Sequence, residues 1–149
     1  MAVAGGGRAP RAELEVAEAV GRELGQRDAV VVCGGLGGAM EAVCRGAKSA
    51  GGTTVGILPG DERAEANAYV DVAIPTGLGE GRNALVVRAA DALIAVGGEW
   101  GTLSEIALAM RAGKRVVGIG TWELSKAGRE VEGVIHARDA AEAVKLALG

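Results

Sequence analysis

Aromatic side chains are nearly absent from this chain. Its 149 residues include no Phe, two Trp and one Tyr, so any core must be assembled from Val, Leu, Ile and Ala. Proline is as scarce, at three residues, which excludes a proline-rich spacer. The only cysteines, Cys33 and Cys44, sit in apolar segments without zinc or dithiol redox spacing, and are expected as reduced core residues. The single histidine, His136, has no companion, and no metal site is expected. No apolar run approaches the roughly 18–20 residues of a membrane span, and no signal peptide precedes the first apolar run. A cytoplasmic protein with no membrane partner is therefore expected. Charge excess is small too: 16 basic and 19 acidic residues give a net −3, with no electrostatic reason to expect a nucleic-acid partner.

What the chain has in excess is glycine, 26 residues, within a composition that is 49% hydrophobic. Mean hydropathy is +0.25. This length and apolar content suit a single domain over 1–149 with a buried core. Short apolar runs alternate with helical patterns. Strands are expected at "MAVA" (1–4), "DAVVVCGG" (28–35), "TTVGILPG" (53–60), "ALIAVGG" (92–98), "KRVVGIG" (114–120) and "GVIHA" (133–137). The stretch 61–79 lacks helical periodicity, and its "VDVAIPT" suits a further short strand. Helices are expected over 9–25, 38–52, 81–91 and 138–148, and through 103–110, where Leu103, Ile106, Ala107 and Met110 mark one face. The strands are continuously apolar rather than alternating, which marks burial on both faces. The expected fold is therefore α/β: a doubly wound parallel sheet in a Rossmann-like three-layer α/β/α domain.

Glycines gather where the strands end. Gly5, Gly6 and Gly7 follow the first strand, Gly34, Gly35, Gly37 and Gly38 the second, and Gly97, Gly98 and Gly101 the run 92–98. In an open parallel sheet, ligands bind beyond the carboxyl ends of the strands. Glycine admits a close ligand, and each loop feeds a helix N-terminus whose free N–H groups favour anions. Small residues also serve tight turns, but three such loops on one edge favour a shared phosphate-bearing ligand. NAD is not indicated: the first loop reads "GGGRAP", with Pro10 where the third fingerprint glycine belongs, and the second strand ends in Cys33 without an acid. No G-x-x-x-x-G-K-[ST] string occurs, which excludes an ATPase of that class.

The strings "CGGLGGAMEAVCRGA", "VGILPG" and "GRNALVVRAADALIAVGGEWGTLSEIALA", in that order and over nearly the whole chain, resemble the "lysine decarboxylase-like" superfamily. That name is a historical misnomer, and no lysine decarboxylase activity is expected. The superfamily includes the Lonely Guy cytokinin-activating phosphoribohydrolases; the nearer resemblance is to short bacterial proteins related to the algal molybdenum cofactor carrier proteins. In the phosphoribohydrolases an Arg precedes a P-G-G-x-G-T-x-x-E motif, and that Arg and the final Glu are active-site residues. The resemblance carries these roles onto Arg82 and Glu105, with Asp91 in register, and the loop onto Gly97, Gly98, Glu99, Trp100, Gly101 and Thr102. Gly97 stands where the motif has Pro, Glu99 replaces a Gly, and Asn83 replaces the usual Lys after the Arg. A lost cation and an added carboxylate beside the loop weigh for binding over hydrolysis.

Several residues admit a structural role as well as a ligand role. Thr102-Leu-Ser-Glu105 is also a capping box, and so is Asp139-Ala-Ala-Glu142, where the family has no motif. Arg82 opens a helix, a poor place for a cation unless an anion or Glu105 faces it. Arg8 is placed to meet a phosphate or to be solvated, Trp100 to stack on a heterocycle or to pack.

The candidate site therefore comprises Arg82 and Glu105 for chemistry, with Gly6, Gly7, Gly34, Gly35, Gly38, Gly97, Gly98, Trp100, Gly101 and Thr102 for the ligand. The expected function is binding of a phosphorylated heterocycle, a nucleotide or a pterin-type cofactor. The alternative is a phosphoribohydrolase cleaving the N-glycosidic bond of a nucleoside 5′-monophosphate. A homo-oligomer, dimer or tetramer, is expected from the family and from the apolar faces of 84–90 and 103–110.

Overall fold

The computed structural model describes all residues, 1–149. The chain runs β1 (Ala2–Gly5), α1 (Arg11–Gly25), β2 (Val31–Cys33), α2 (Ala39–Ser49), β3 (Thr54–Leu58), β4 (Val72–Pro75), α3 (Asn83–Arg88), β5 (Ala92–Val96), α4 (Trp100–Arg111) and β6 (Arg115–Ile119). It closes with β7 (Ser125–Lys126), β8 (Arg129–Glu130), β9 (Val134–His136) and α5 (Ala140–Leu148). Two 3₁₀ turns, Arg63–Glu65 and Gly79–Arg82, precede β4 and α3. The β7–β8 hairpin and the first 3₁₀ turn lie outside the expected elements, and the second takes the start of the helix expected over 81–91, which is regular only over Asn83–Arg88. The hairpin's strands are two residues each, too short to show alternation, and its turn rests on positive φ at Ala127 and Gly128.

Seven strands form one parallel sheet in the order β4-β3-β2-β1-β5-β6-β9. The alternation of Cβ directions sorts β1 cleanly. Val3 packs with α1, α2 and α5, whereas Ala2 and Ala4 pack with α3 and α4. Both clusters are aliphatic, as a chain without Phe requires. On the first face the backbones of α1 and α2 touch: a Cβ on Gly46 would stand 1.9 Å from the Glu18 carbonyl oxygen, and one on Gly21 2.0 Å from that of Val43. Only glycine permits that crossing. Cys33 and Cys44 are free and buried in this layer, their sulfurs 3.5 Å apart.

The strand order places the site. The chain moves outward from β1 through β2, β3 and β4, then returns to lay β5 on the other side of β1. This reversal opens a crevice at the carboxyl ends of β1 and β5, where the loops leave to opposite faces. No helix is long and apolar enough to cross a membrane.

Two expectations for α4 need correction. The helix starts at Trp100, with Glu99 at the N-cap, so Thr102 lies inside the first turn and does not cap it. Its hydroxyl is buried without a hydrogen-bond partner. The buried face is Thr102, Glu105, Ile106 and Ala109, whereas Ala107 is exposed. Periodicity had placed the face on Leu103, Ile106, Ala107 and Met110 by counting apolar residues. The true face includes two polar ones.

Candidate functional site

A cleft of about 280 Å³ opens at this crevice. Gly5, Gly6 and Gly7 form one wall, Gly34, Leu36 and Met40 another, and Pro59, Glu80, Arg82 and Asn83 a third. Glu99, Gly101, Thr102 and Glu105 close it from α4. Seven of the residues expected from sequence thus meet here: Arg82, Glu105, Gly6, Gly7, Gly34, Gly101 and Thr102. Gly35, Gly38, Gly97, Gly98 and Trp100 stand outside the lining and shape the loops or rim instead. Gly38, at φ 64°, fits against the carbonyl oxygens of Gly6 and Gly7, where a Cβ would be 2.4 and 2.5 Å away. Gly98, at φ 100°, leaves room for Thr102, whose Oγ1 would lie 2.3 Å from a Cβ. Asp91 is exposed at the start of β5, the opposite end of the sheet from the cleft. Arg8 is exposed and not part of the lining.

The loops are tied down by long-range hydrogen bonds. Ala39 N–H donates to Gly6 O at 3.0 Å, joining the first two glycine loops. Asn67 Nδ2 donates to Leu36 O at 2.9 Å. Thr121 Oγ1 donates to Gly97 O at 2.5 Å, and Trp122 Nε1 to Glu99 O at 3.2 Å. Trp100 is 74% exposed on the rim, its ring centroid 5.1 Å from that of Trp122.

At the start of α4, Leu103 N–H is the first to find a backbone acceptor, Glu99 O at 3.0 Å. The amides of Trp100, Gly101 and Thr102 find none in the chain, and no side chain caps them. They are the orphan donors of a helix start, with the positive end of the helix dipole behind them.

Arg82 is buried, at 8% exposure. Its Nε donates to Ile57 O at 2.9 Å and its Nη1 to Asn83 Oδ1. Asn83 Nδ2 in turn donates to Ser104 Oγ at 3.1 Å, and Ser104 Oγ donates to Gly101 O at 2.6 Å. This relay fixes the guanidinium relative to the α4 N-terminus. Asn83, noted from sequence only as a lost lysine, is thereby the residue that orients Arg82. Its adjacency to Arg82 was the only sequence signal, because Ser104 comes near it only in the fold.

Glu105 is 7% exposed and makes no hydrogen bond or ion pair. Burial pushes its carboxyl up to about 7, with the charge of Arg82 pulling partly the other way. Arg82 is the one cation of the lining, against Glu80, Glu99 and Glu105. The arrangement offers amide donors and one guanidinium to an anion, and a buried acid that can keep its proton near neutrality. No group of three His, Cys, Asp or Glu side chains is placed to hold a metal ion.

Known proteins resemble this chain in sequence and fold. A protein of Archaeoglobus fulgidus is 43% identical over 119 residues, 80% of this chain and 78% of that one. The solved structure of the molybdenum cofactor binding protein from the phototrophic bacterium Rippkaea orientalis matches with a TM-score of 0.87 and 33% identity, over 97% of this chain and 91% of that one. The Moco carrier protein of Chlamydomonas reinhardtii matches with a TM-score of 0.84 and 35% identity, over 97% and 91%. The model of the SLOG cluster4 family covers residues 1–144, and the chain belongs to that family.

Proposed function

We propose that this protein binds a phosphorylated heterocycle of the pterin type, the molybdenum cofactor class, in the cleft between β1 and β5. The observation that carries this reading is the unfilled polar wall: the amides of Gly101 and Thr102 without acceptors and the orphaned Thr102 hydroxyl, lining one cleft with the buried Arg82. Buried polar groups are almost always partnered, and an anion at this helix start supplies acceptors to the amides. Gly7, in the lining, has nothing within 4 Å of where a Cβ would be, so a ligand can approach its backbone closely. The two solved relatives described above as binding or carrying the molybdenum cofactor share the fold over nearly their whole length. A volume of about 280 Å³ sits at the small end of ligand pockets. It suits a mononucleotide-sized ligand, and a dinucleotide would project from it.

In this reading the amides of Gly101 and Thr102 hold the phosphate and Arg82 adds charge, while the glycine walls admit the ring. The cofactor, when bound, supplies the metal and the pterin; the chain's own part is to hold and shield it. The test is a titration of the purified protein with isolated molybdenum cofactor, followed by fluorescence of the released and oxidised pterin after gel filtration. Co-elution at one cofactor per chain supports the reading, and complete separation refutes it.

One observation favours a second reading. A buried carboxyl poised near 7 beside an arginine is the equipment of acid–base chemistry. Glu105 would then assist departure of a base from a nucleoside 5′-monophosphate whose phosphate sits on the same amides. Incubation with nucleoside 5′-monophosphates and an assay for free base decides between them.

The protein is also proposed to pair with itself. Val72, Ile74 and Leu78, in and after the edge strand β4, and Leu85 on α3 are exposed. The six-residue α3 leaves the edge of that sheet face open. Light scattering at micromolar concentration tests this, and a monomer refutes it.

A further inference from the structure

Glu105 is the one buried titratable group of the cleft that no hydrogen bond or ion pair engages. A carboxylate taken out of water recruits donors or a counter-ion, because an unpaired buried charge is costly. Glu105 has neither. Its only nearby cation, Arg82, is committed to Ile57 O and Asn83 Oδ1. Arg82 and Cys33, at the end of β2, feel the charge of Glu105, and Glu80 from the 3₁₀ turn and Glu99 from the β5–α4 loop line the same cleft. The walls from β1, α2 and β3 bring glycines and apolar side chains only. Ionised, Glu105 would be the third carboxylate of a lining that holds a single guanidinium. One turn earlier on the same face of α4, the Thr102 hydroxyl is also buried and unpartnered. Two polar side chains, each more than nine-tenths buried, thus line the same wall without acceptors or donors of their own.

We propose that Glu105 stands in the cleft as a neutral acid that donates a hydrogen bond to the bound anion, so that protonation holds the ligand and ionisation releases it. This rests on the reading of the cleft as a phosphate site and adds its regulation: binding is coupled to a proton. Coupling is reciprocal. An anion that binds the protonated form must raise the proton affinity of Glu105, so loading takes up a proton and release returns it. With the carboxyl already near 7, a change of one pH unit about neutrality moves the balance.

The probe is sulfate, whose charge does not change across the range used, measured by calorimetry at about pH 6 and about pH 8. If binding requires the protonated form of a group titrating at about 7, wild-type affinity falls about tenfold between them. Glu105→Gln, an amide that donates but cannot ionise, is expected to bind sulfate equally at both. A wild-type affinity that does not change with pH, or a tenfold fall that persists in Glu105→Gln, overturns the proposal and leaves the phosphate reading standing. No sulfate binding at either pH overturns both. Independently of any ligand, the side-chain carboxyl carbon of Glu105 is followed by NMR, assigned by its loss in Glu105→Gln or Glu105→Asp. A midpoint near 7 supports the proposal, and one in the ordinary carboxylate range, about 4.3, overturns it whatever sulfate does.

Discussion

The starts of α4 and α5 carry the same four-residue pattern, and the molecule uses it in opposite ways. At α5, Asp139 occupies the N-cap and accepts from Glu142 N–H at 2.8 Å. The Glu142 carboxylate returns to Arg138 N–H at 2.8 Å and to its guanidinium at 3.0 Å. Its reach extends one residue beyond the N-cap that a standard capping box would engage. These contacts lie at the exposed surface of the helix start. At α4, the helix begins two residues before Thr102, which carries Thr102 and Glu105 inward onto the buried face. Both lose their capping partners and line the cleft instead. A capping pattern caps only where the chain enters the helix at its first residue. Gly97 and Gly98, both at positive φ, let the chain turn into α4 early, so the same residue types become ligand-facing groups.

The largest effect expected from this difference is in pH dependence. Glu105 has a folded pKa raised to about 7 from 4.5, so between those values the folded state holds the extra proton. The stabilising contribution is present below the unfolded value and lost as pH rises through 7, worth about 3 kcal/mol. Thermal melts of wild type and Glu105→Gln should diverge, the wild type losing stability relative to the variant from about pH 5 to about pH 8. Parallel curves would erase the contrast between the two helix starts. Glu142 must slope the other way. Its hydrogen bonds to Arg138 hold it below the usual range, so its contribution is present at neutral pH and fades as pH falls through its folded value.

Next in size is Arg82→Met. It strands the Ile57 carbonyl and leaves Glu105 without its only neighbouring cation. A loss of about 2 kcal/mol in stability is expected, with at least about tenfold weaker sulfate binding. Unchanged binding with lowered stability would make Arg82 a structural residue only. Asp139→Ala is smaller: about 1 kcal/mol, or roughly 2–4 °C in Tm for a chain of this size, with no change in sulfate affinity. The smallest is Thr102→Val, which removes a hydroxyl that bonds to nothing. Stability should hold or rise, because an unpartnered buried hydroxyl is removed, against a loss of about 1 kcal/mol if Thr102 capped the helix. If the hydroxyl serves the ligand, affinity alone falls.

The site was partly legible in sequence. Arg82, Glu105, Gly6, Gly7, Gly34, Gly101 and Thr102 meet in the cleft as expected from glycine loops after strands and from the family motif. Asn83 and its relay to Ser104 were not legible, since 21 residues separate the two and neither stands out alone. Nor was the buried face of α4, because counting apolar side chains cannot anticipate a helix that buries Thr102 and Glu105.

What the sequence determined by itself is whatever depends on local pattern. Unbroken apolar runs require strands buried on both faces, hence a parallel sheet, and a chain without Phe requires an aliphatic core. Asp139 and Glu142 make a cap because both partners lie within one turn of each other. Only the tertiary structure decided which residues share the crevice, because the reversal of strand order between β1 and β5 is a property of the whole sheet. It also decided the state of Glu105. A carboxyl's proton affinity is set by how much water and which charges surround it, and those are supplied by β1, β2, the 3₁₀ turn before α3 and the β5–α4 loop, folded over one side chain of α4.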